Sequence, residues 1–107
     1  MENLTFVGMT QDKHPVISGW DIFKLKDETG FPFSMAFATC EKEGMVIDWI
    51  GLIEAAREAG WWDFQTIEAI QEAFTDSQAY AGSRGEIMKR IMAYMMAHPH
   101  PGLATPA

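Results

Sequence analysis

Two segments in the middle of the chain carry apolar residues at helical spacing. In the first, which follows Asp48, positions i, i+3, i+4 and i+7 fall on one helix face: Trp49, Leu52, Ile53 and Ala56. Asp48 is a suitable N-cap for this segment and Gly60 a suitable stop. The second segment opens at Asp63, another suitable cap, and runs to about residue 74, with an apolar side made of Phe64, Ile67, Ile70 and Phe74. The pattern predicts two helices joined by a tight link at 60–62.

A last helix is predicted over about 83–97. Its apolar stripe consists of Ile87, Ile91, Tyr94 and Met95, and it is widened by Met88, Met92 and Met96. Gly82 and Gly85 argue against one helix that runs from residue 77. Because Pro99 and Pro101 cannot continue the helix, we expect 99–107 to be a flexible C-terminal tail.

Strand signals are confined to the first part of the chain, at 4–26. β-prone residues at 4–7 and 20–26 predict two short strands that pair as a hairpin. Ile22 falls out of step if Phe23 and Leu25 face inward. A hairpin of this size needs a helix to pack on, because an isolated hairpin is only marginally stable.

The segment 31–44 fits two interpretations. The alternation of its apolar residues is typical of a strand: Phe31, Phe33, Met35 and Phe37. The same segment fits a helix, because Pro32 suits a first helical turn and Gly44 suits a left-handed C-cap. We favour the helix.

Together these elements predict an α+β fold that is predominantly α, with a small N-terminal β-hairpin packed on a bundle of three to four short helices. A length of 107 residues suits one domain, and an apolar fraction of 48% is enough for a core. We therefore expect residues 1–98 to form a single compact domain.

The net charge of −7 is unevenly distributed. Residues 31–76 hold nine acids against two bases, and the few remaining bases of the second half lie after residue 83. Residues 56–67 resemble a helix-turn-helix motif, but their turn is one residue longer than the usual spacing and the second helix carries no Lys or Arg. Because phosphate contacts need basic side chains, the charge pattern disfavours direct nucleic-acid binding through this region.

The sequence contains no motif of a known catalytic or metal site. The acid pairs Glu54/Glu58 and Glu68/Glu72 fall on the polar faces of helices, where solvation is the default, and we predict no metal ion and no cofactor. Cys40 is expected to be a small buried hydrophobe. With no signal peptide and no membrane span in the pattern, we expect a soluble cytoplasmic protein that is not an enzyme.

Adjacent tryptophans follow the first central helix. Trp61 and Trp62 cannot easily both point inward from a tight link. Two interpretations follow: one of them is exposed as a binding anchor, or both cover the open end of the core. The neighbouring acids define an acidic surface, composed of Glu54, Glu58, Asp63, Glu68 and Glu72. We expect the two tryptophans and these five acids to bind a protein with a basic surface.

The methionine-rich stripe of the last helix is wider than one core contact requires. It therefore suggests self-association, with a homodimer formed through Ile87, Met88, Ile91, Met92, Met95 and Met96. Such a chain would be a small structural or assembly subunit.

Three hypotheses for function follow, in order. The first is a non-catalytic interaction protein, an inhibitor or adaptor that occupies a basic surface, such as one its partner uses for nucleic acid. Small phage and mobile-element proteins often act in this way, which makes such an origin an expectation of the hypothesis. The second is the assembly subunit, and the third, ranked lowest, is an enzyme that uses carboxylates.

Overall fold

A computed structural model describes residues 4–99. Their helices and strands follow one another along the chain as β1 (Phe6–Met9), β2 (Pro15–Ile17), α1 (Gly19–Thr29), α2 (Phe33–Lys42), β3 (Val46–Ile47), α3 (Trp49–Glu58), α4 (Asp63–Ser77) and α5 (Arg84–Ala97). This arrangement confirms an α+β fold that is mainly α. The five helices of the described region exceed the three to four that the sequence predicted.

The N-terminal hairpin is part of a mixed sheet of three strands. β1 pairs antiparallel with β2, with a register shift between Phe6 and Gly8, and β2 pairs in parallel with β3. The sequence did not predict β3, which has two residues and depends on pairing with a strand about 30 residues earlier in the chain. The order is β1-β2-β3, so β1 lies at an edge, and all four of its residues are exposed.

The strand predicted at 20–26 is wrong, because this segment lies in α1. Ser18 caps the helix by accepting a hydrogen bond from the backbone N–H of Asp21 at 3.3 Å, and Gly30 ends it in the left-handed conformation at φ 76°. Ile22 and Phe23 are both buried although they are adjacent. Two adjacent residues cannot both face inward from one face of a strand, but they can on a helix.

The ambiguous segment 31–44 forms a helix, as favoured from the sequence. Pro32 immediately precedes α2, and Gly44, at φ 72°, follows it in the left-handed conformation. The residues at helical spacing are buried, namely Phe33, Ala36, Phe37 and Cys40. The alternation that suggested a strand breaks at Met35, which is exposed.

The two central helices and the last helix confirm their predictions, with small differences at the ends. Asp48 caps α3 through its carboxylate, which accepts from the N–H of Gly51 at 3.0 Å. Asp63, by contrast, does not cap α4. Trp62 precedes that helix and its N–H donates to the side-chain oxygen of Gln65 at 2.7 Å, while α4 continues three residues beyond Phe74.

The core lies where α2, α3 and α4 meet. Three rings form its centre, with Phe37 edge-on to Trp49 at 5.1 Å and Phe74 at 5.6 Å from both. Tyr80 contacts Trp49 from outside this triangle and donates its hydroxyl to the carbonyl of Met45 at 2.8 Å. α5 packs against α3 and contributes three buried residues: Ile87, Ile91 and Met95. The tail predicted for 99–107 lies, from residue 100 onward, outside the described residues.

Helix α1 approaches α3 closely at Gly19. A Cβ atom at this position would overlap the carbonyl oxygen of Asp48 and the backbone nitrogen of Leu52. Both obstacles are backbone atoms, so a side chain there requires the two helices to separate.

We expect Gly19→Ala to lower the free energy of unfolding by about 3 kcal/mol, the cost of overpacking against backbone. Denaturant unfolding monitored by circular dichroism measures this change. Gly85→Ala is the matched control, because nothing lies within 4 Å of a Cβ there. The control should keep or slightly raise stability, since alanine favours a helix more than glycine does. Equal stability of the two variants would contradict the close approach.

Candidate partner-binding groove

A groove of about 450 Å³ opens along one side of α4. We call it the α4 groove. Its lining comes from the last turns of α1, the link before α4 and α4 itself, and consists of Lys26, Trp61, Phe64, Gln65, Glu68, Ala69 and Glu72. The volume lies within the range of sites that take side chains or small molecules, about 300–1,000 Å³.

The apolar part of the groove is aromatic. The ring of Trp61 is half-buried and held edge-on against Phe23, with the ring centroids 5.2 Å apart. Phe64 is 65% exposed, and the ring of Trp62, itself 48% exposed, stacks on it at 6.5 Å. The fold thus fixes one tryptophan and leaves two neighbouring rings open to solvent, an arrangement typical of interaction sites.

The polar part of the groove is acidic. Glu68 and Glu72 lie one turn apart on α4 and are exposed. Asp76 continues the row one turn later, where it lines a smaller depression of about 140 Å³ that shares Glu72 and Lys26 with the groove. Lys26 is the basic residue that lines both the groove and this depression. Its ammonium group lies 5.3 Å from the centre of the Phe33 ring. Two carboxylates in the groove and a third next to it, against one ammonium group, leave this region negatively charged.

The structure gathers some of the predicted partner-binding residues and separates others. Trp61, Glu68 and Glu72 lie together in the groove, and Trp62 stands at its end. Glu54 instead lies beside α5, where its carboxylate accepts a hydrogen bond from the Tyr94 hydroxyl at 3.4 Å. Glu58 is exposed on α3, and neither of these glutamates lines the groove.

Asp63 is committed to an ion pair. Its two carboxylate oxygens accept hydrogen bonds from Arg57 at 3.0 and 2.8 Å, and the guanidinium also donates to the carbonyl of His98. The hydrogen bond to Asp63 raises the pKa of Arg57 further above its ordinary value. The pair ties α3 to the start of α4 and neutralises one of the five predicted acids.

Four residues that line the groove were not among the predicted binding residues: Lys26, Phe64, Gln65 and Ala69. Phe64 had been assigned to the buried side of its helix, yet it precedes the buried Ile70 by six residues and therefore points about 120° away from it. Thr66, four residues before Ile70, takes the buried place and is 1% exposed. The angular spacing could have identified Phe64. Lys26 could not be found in this way, because the fold brings it from a distant segment.

The predicted self-association residues lie partly on the buried face of α5 and partly on its exposed face. Ile87, Ile91 and Met95 are buried within the domain, so they are not available to a second copy. Met88 is half-buried beside α4 in a shallow groove. Met92 and Met96 are 50% and 82% exposed, which leaves a narrower apolar surface than the sequence indicated.

Metal sites, membrane spans and reactive thiols each have structural requirements that can be compared with residues 4–99. Among residues 4–99, no three His, Cys, Asp or Glu side chains come together so that they could hold a metal ion. None of the helices in this part of the chain combines the length and apolar character needed to cross a lipid bilayer. Cys40 is fully buried, and burial, helped by the charge of Glu43, raises the pKa of its thiol to about 11.

Comparison with known proteins adds no functional information. No protein-family model matches the chain, and no curated protein or solved structure matches it either. The α4 groove is therefore interpreted from its own geometry and charge.

We expect Cys40 to react very slowly in the folded protein. With a pKa of about 11, roughly one thiol in a thousand is ionised at pH 8, against roughly one in ten for the ordinary value of 9. Alkylation by iodoacetamide at pH 8, followed by mass spectrometry, should be at least about a hundredfold slower than in denaturant. Equal rates in the two conditions would show that α2 is not packed as described.

Proposed function

We propose that this chain is a non-catalytic interaction protein that binds a partner with a basic surface through the α4 groove. The observation that carries the proposal is one groove lined by two exposed carboxylates, Glu68 and Glu72, together with the exposed ring of Phe64 and the half-buried ring of Trp61. Interfaces of this kind combine an apolar anchor that is buried on binding with charges that select and orient the partner. The partner would be held as an inhibitor or adaptor holds its target.

The two parts of the groove have different roles in this proposal. Phe64 and Trp62 supply apolar area that is lost from water on binding, which is the main source of affinity. Glu68 and Glu72 supply attraction for Lys and Arg and repulsion for acidic surfaces, which is the main source of specificity and association rate. A partner that uses its basic surface for nucleic acid would have that surface occupied.

The partner should be lost when the charge of the groove is reversed. We expect a pull-down from host-cell lysate to recover a basic protein with the native chain at about 0.05 M salt, and to lose it with Glu68→Lys/Glu72→Lys or at about 0.5 M salt, where screening is strong. Quantitative mass spectrometry measures the recovery.

The charge-matched control is Glu54→Lys/Glu58→Lys, which changes the net charge equally but lies outside the groove. It should retain most of the partner. Equal loss with both variants would place the binding in the overall charge of the chain, and retention with both would contradict a role for its carboxylates.

A second candidate function is self-assembly through α5. The exposure of Met92 and Met96, one turn apart on the same helix, favours it, because two such apolar side chains facing solvent suit contact with a second copy. In this case the chain would be a small assembly subunit.

If α5 mediates self-association, sedimentation velocity at high micromolar concentration should show a dimer that is absent in Met92→Glu/Met96→Glu. Two carboxylates placed in this apolar contact should prevent the dimer from forming. Met35→Glu, which also replaces an exposed methionine, is the control and should leave the dimer intact. A native chain that remains monomeric would rule out this second function.

A further inference from the structure

We infer that the element of the partner seated in the α4 groove is an amphipathic basic helix. This inference rests on the proposed function and specifies the shape and residue spacing of what the groove takes. The observations that carry it are the spacing of the carboxylates along α4, the position of the aromatic rings beside them, and the helical walls of the groove.

The carboxylates form one row with one acid in each turn. Glu68, Glu72 and Asp76 are spaced at i, i+4 and i+8, so the row covers about 12 Å of helix axis. A second helix lying alongside α4 presents its own side chains with the same spacing of about one in each turn. Lys or Arg residues at i, i+4 and i+8 of the partner would therefore each meet a carboxylate.

Aromatic side chains extend this row and line the groove, and they would contact the apolar residues of the partner helix. Phe64 precedes Glu68 by four residues, so it continues the row by one turn. Phe64 and Trp61 line the same groove as Glu68, with Ala69 giving a small side chain between the walls. Apolar residues of the partner would rest on Phe64 at the end of its basic row and on Trp61 and Ala69 beside that row. The groove thus fits a partner that presents basic residues together with apolar ones on one side, which is the pattern of an amphipathic helix.

An extended peptide fits the groove less well. The walls are helices α1 and α4, whose backbone groups are already hydrogen-bonded within each helix. Strand addition needs a sheet edge that offers free N–H and C=O groups, and neither edge strand of the described sheet, β1 or β3, is part of the groove. A helix satisfies its own backbone and needs only side-chain contacts.

Two synthetic peptides with the same charge test the inference. The first is a helix-forming peptide of about twenty residues with lysine at every fourth position and leucine directly after each lysine, separated by Ala and Gln. The second replaces two internal alanines of the first with proline, which prevents a continuous helix. Fluorescence anisotropy of the labelled peptides, titrated with the full chain, gives each dissociation constant.

We expect the helical peptide to bind at least about tenfold more tightly than the proline peptide. Glu68→Gln/Glu72→Gln should weaken binding of the helical peptide about tenfold, and Phe64→Ala should weaken it further. The control Glu54→Gln/Glu58→Gln, with the same change in charge, should bind as the native chain does.

The outcomes separate this inference from the proposed function. If both peptides bind equally and both depend on Glu68 and Glu72, the helix is overturned while the basic-partner function stands. If the helical peptide binds but is indifferent to Glu68 and Glu72, the groove is overturned as the site. If it fails to bind at about 1 mM, the helix is again overturned, and the lysate experiment decides the proposed function independently.

Discussion

The packing of three aromatic rings determines how the helices of this protein are arranged. Phe37 of α2, Trp49 of α3 and Phe74 of α4 contact one another in pairs, with centroid distances of 5.1 to 5.6 Å. Each ring comes from a different helix, so removing any one would loosen two helix contacts at once. Because Phe74 anchors the inner face of α4, the opposite face of that helix is held toward solvent. The row of carboxylates and Phe64 therefore form a fixed surface.

The start of α4 is fixed by a different set of contacts. Arg57 joins α3 to Asp63 through two hydrogen bonds, and Trp61 packs edge-on against Phe23 of α1. The two residues leave the link between α3 and α4 little freedom, although it is short and contains Gly60 in a left-handed conformation at φ 89°. Consequently the groove has one rigid aromatic wall, while its exposed rings stand beside that wall. Preorganisation of this kind reduces the ordering cost of binding.

The sequence predicted those features that depend on neighbouring residues and failed on those that depend on distant ones. The capped stripes of α3 and the long stripe of α5 are local signals, and both helices were predicted near their observed ends. The helix α1 was missed although its cap, Ser18, is local, because β-prone side chains outweighed the adjacent buried pair Ile22 and Phe23. The two-residue β3 exists only because β2 pairs with it, which no local pattern contains.

The same distinction between local and long-range signals explains which residues of the candidate site the sequence predicted. Glu68 and Glu72 were identified because charge and helical period are visible in the sequence. Phe64 was assigned to the buried side of α4 because the predicted apolar face of that helix was too wide. Lys26 is separated from Glu68 by some forty residues and reaches the groove only through the packing of the helices, so nothing in the chain pattern indicated it.

Lys26 also makes the two sides of the groove differ in charge. Carboxylates stand on the α4 side, whereas the ammonium group of Lys26 stands on the α1 side above the Phe33 ring. A basic stripe placed toward α1 would face a like charge, but the same stripe placed toward α4 would face only acids. Of the two ways to rotate an amphipathic basic helix about its axis over the groove, one is therefore repelled. Under the proposed function, a single lysine among the acids would make the surface selective for the orientation of the partner helix, which uniform negative charge could not do.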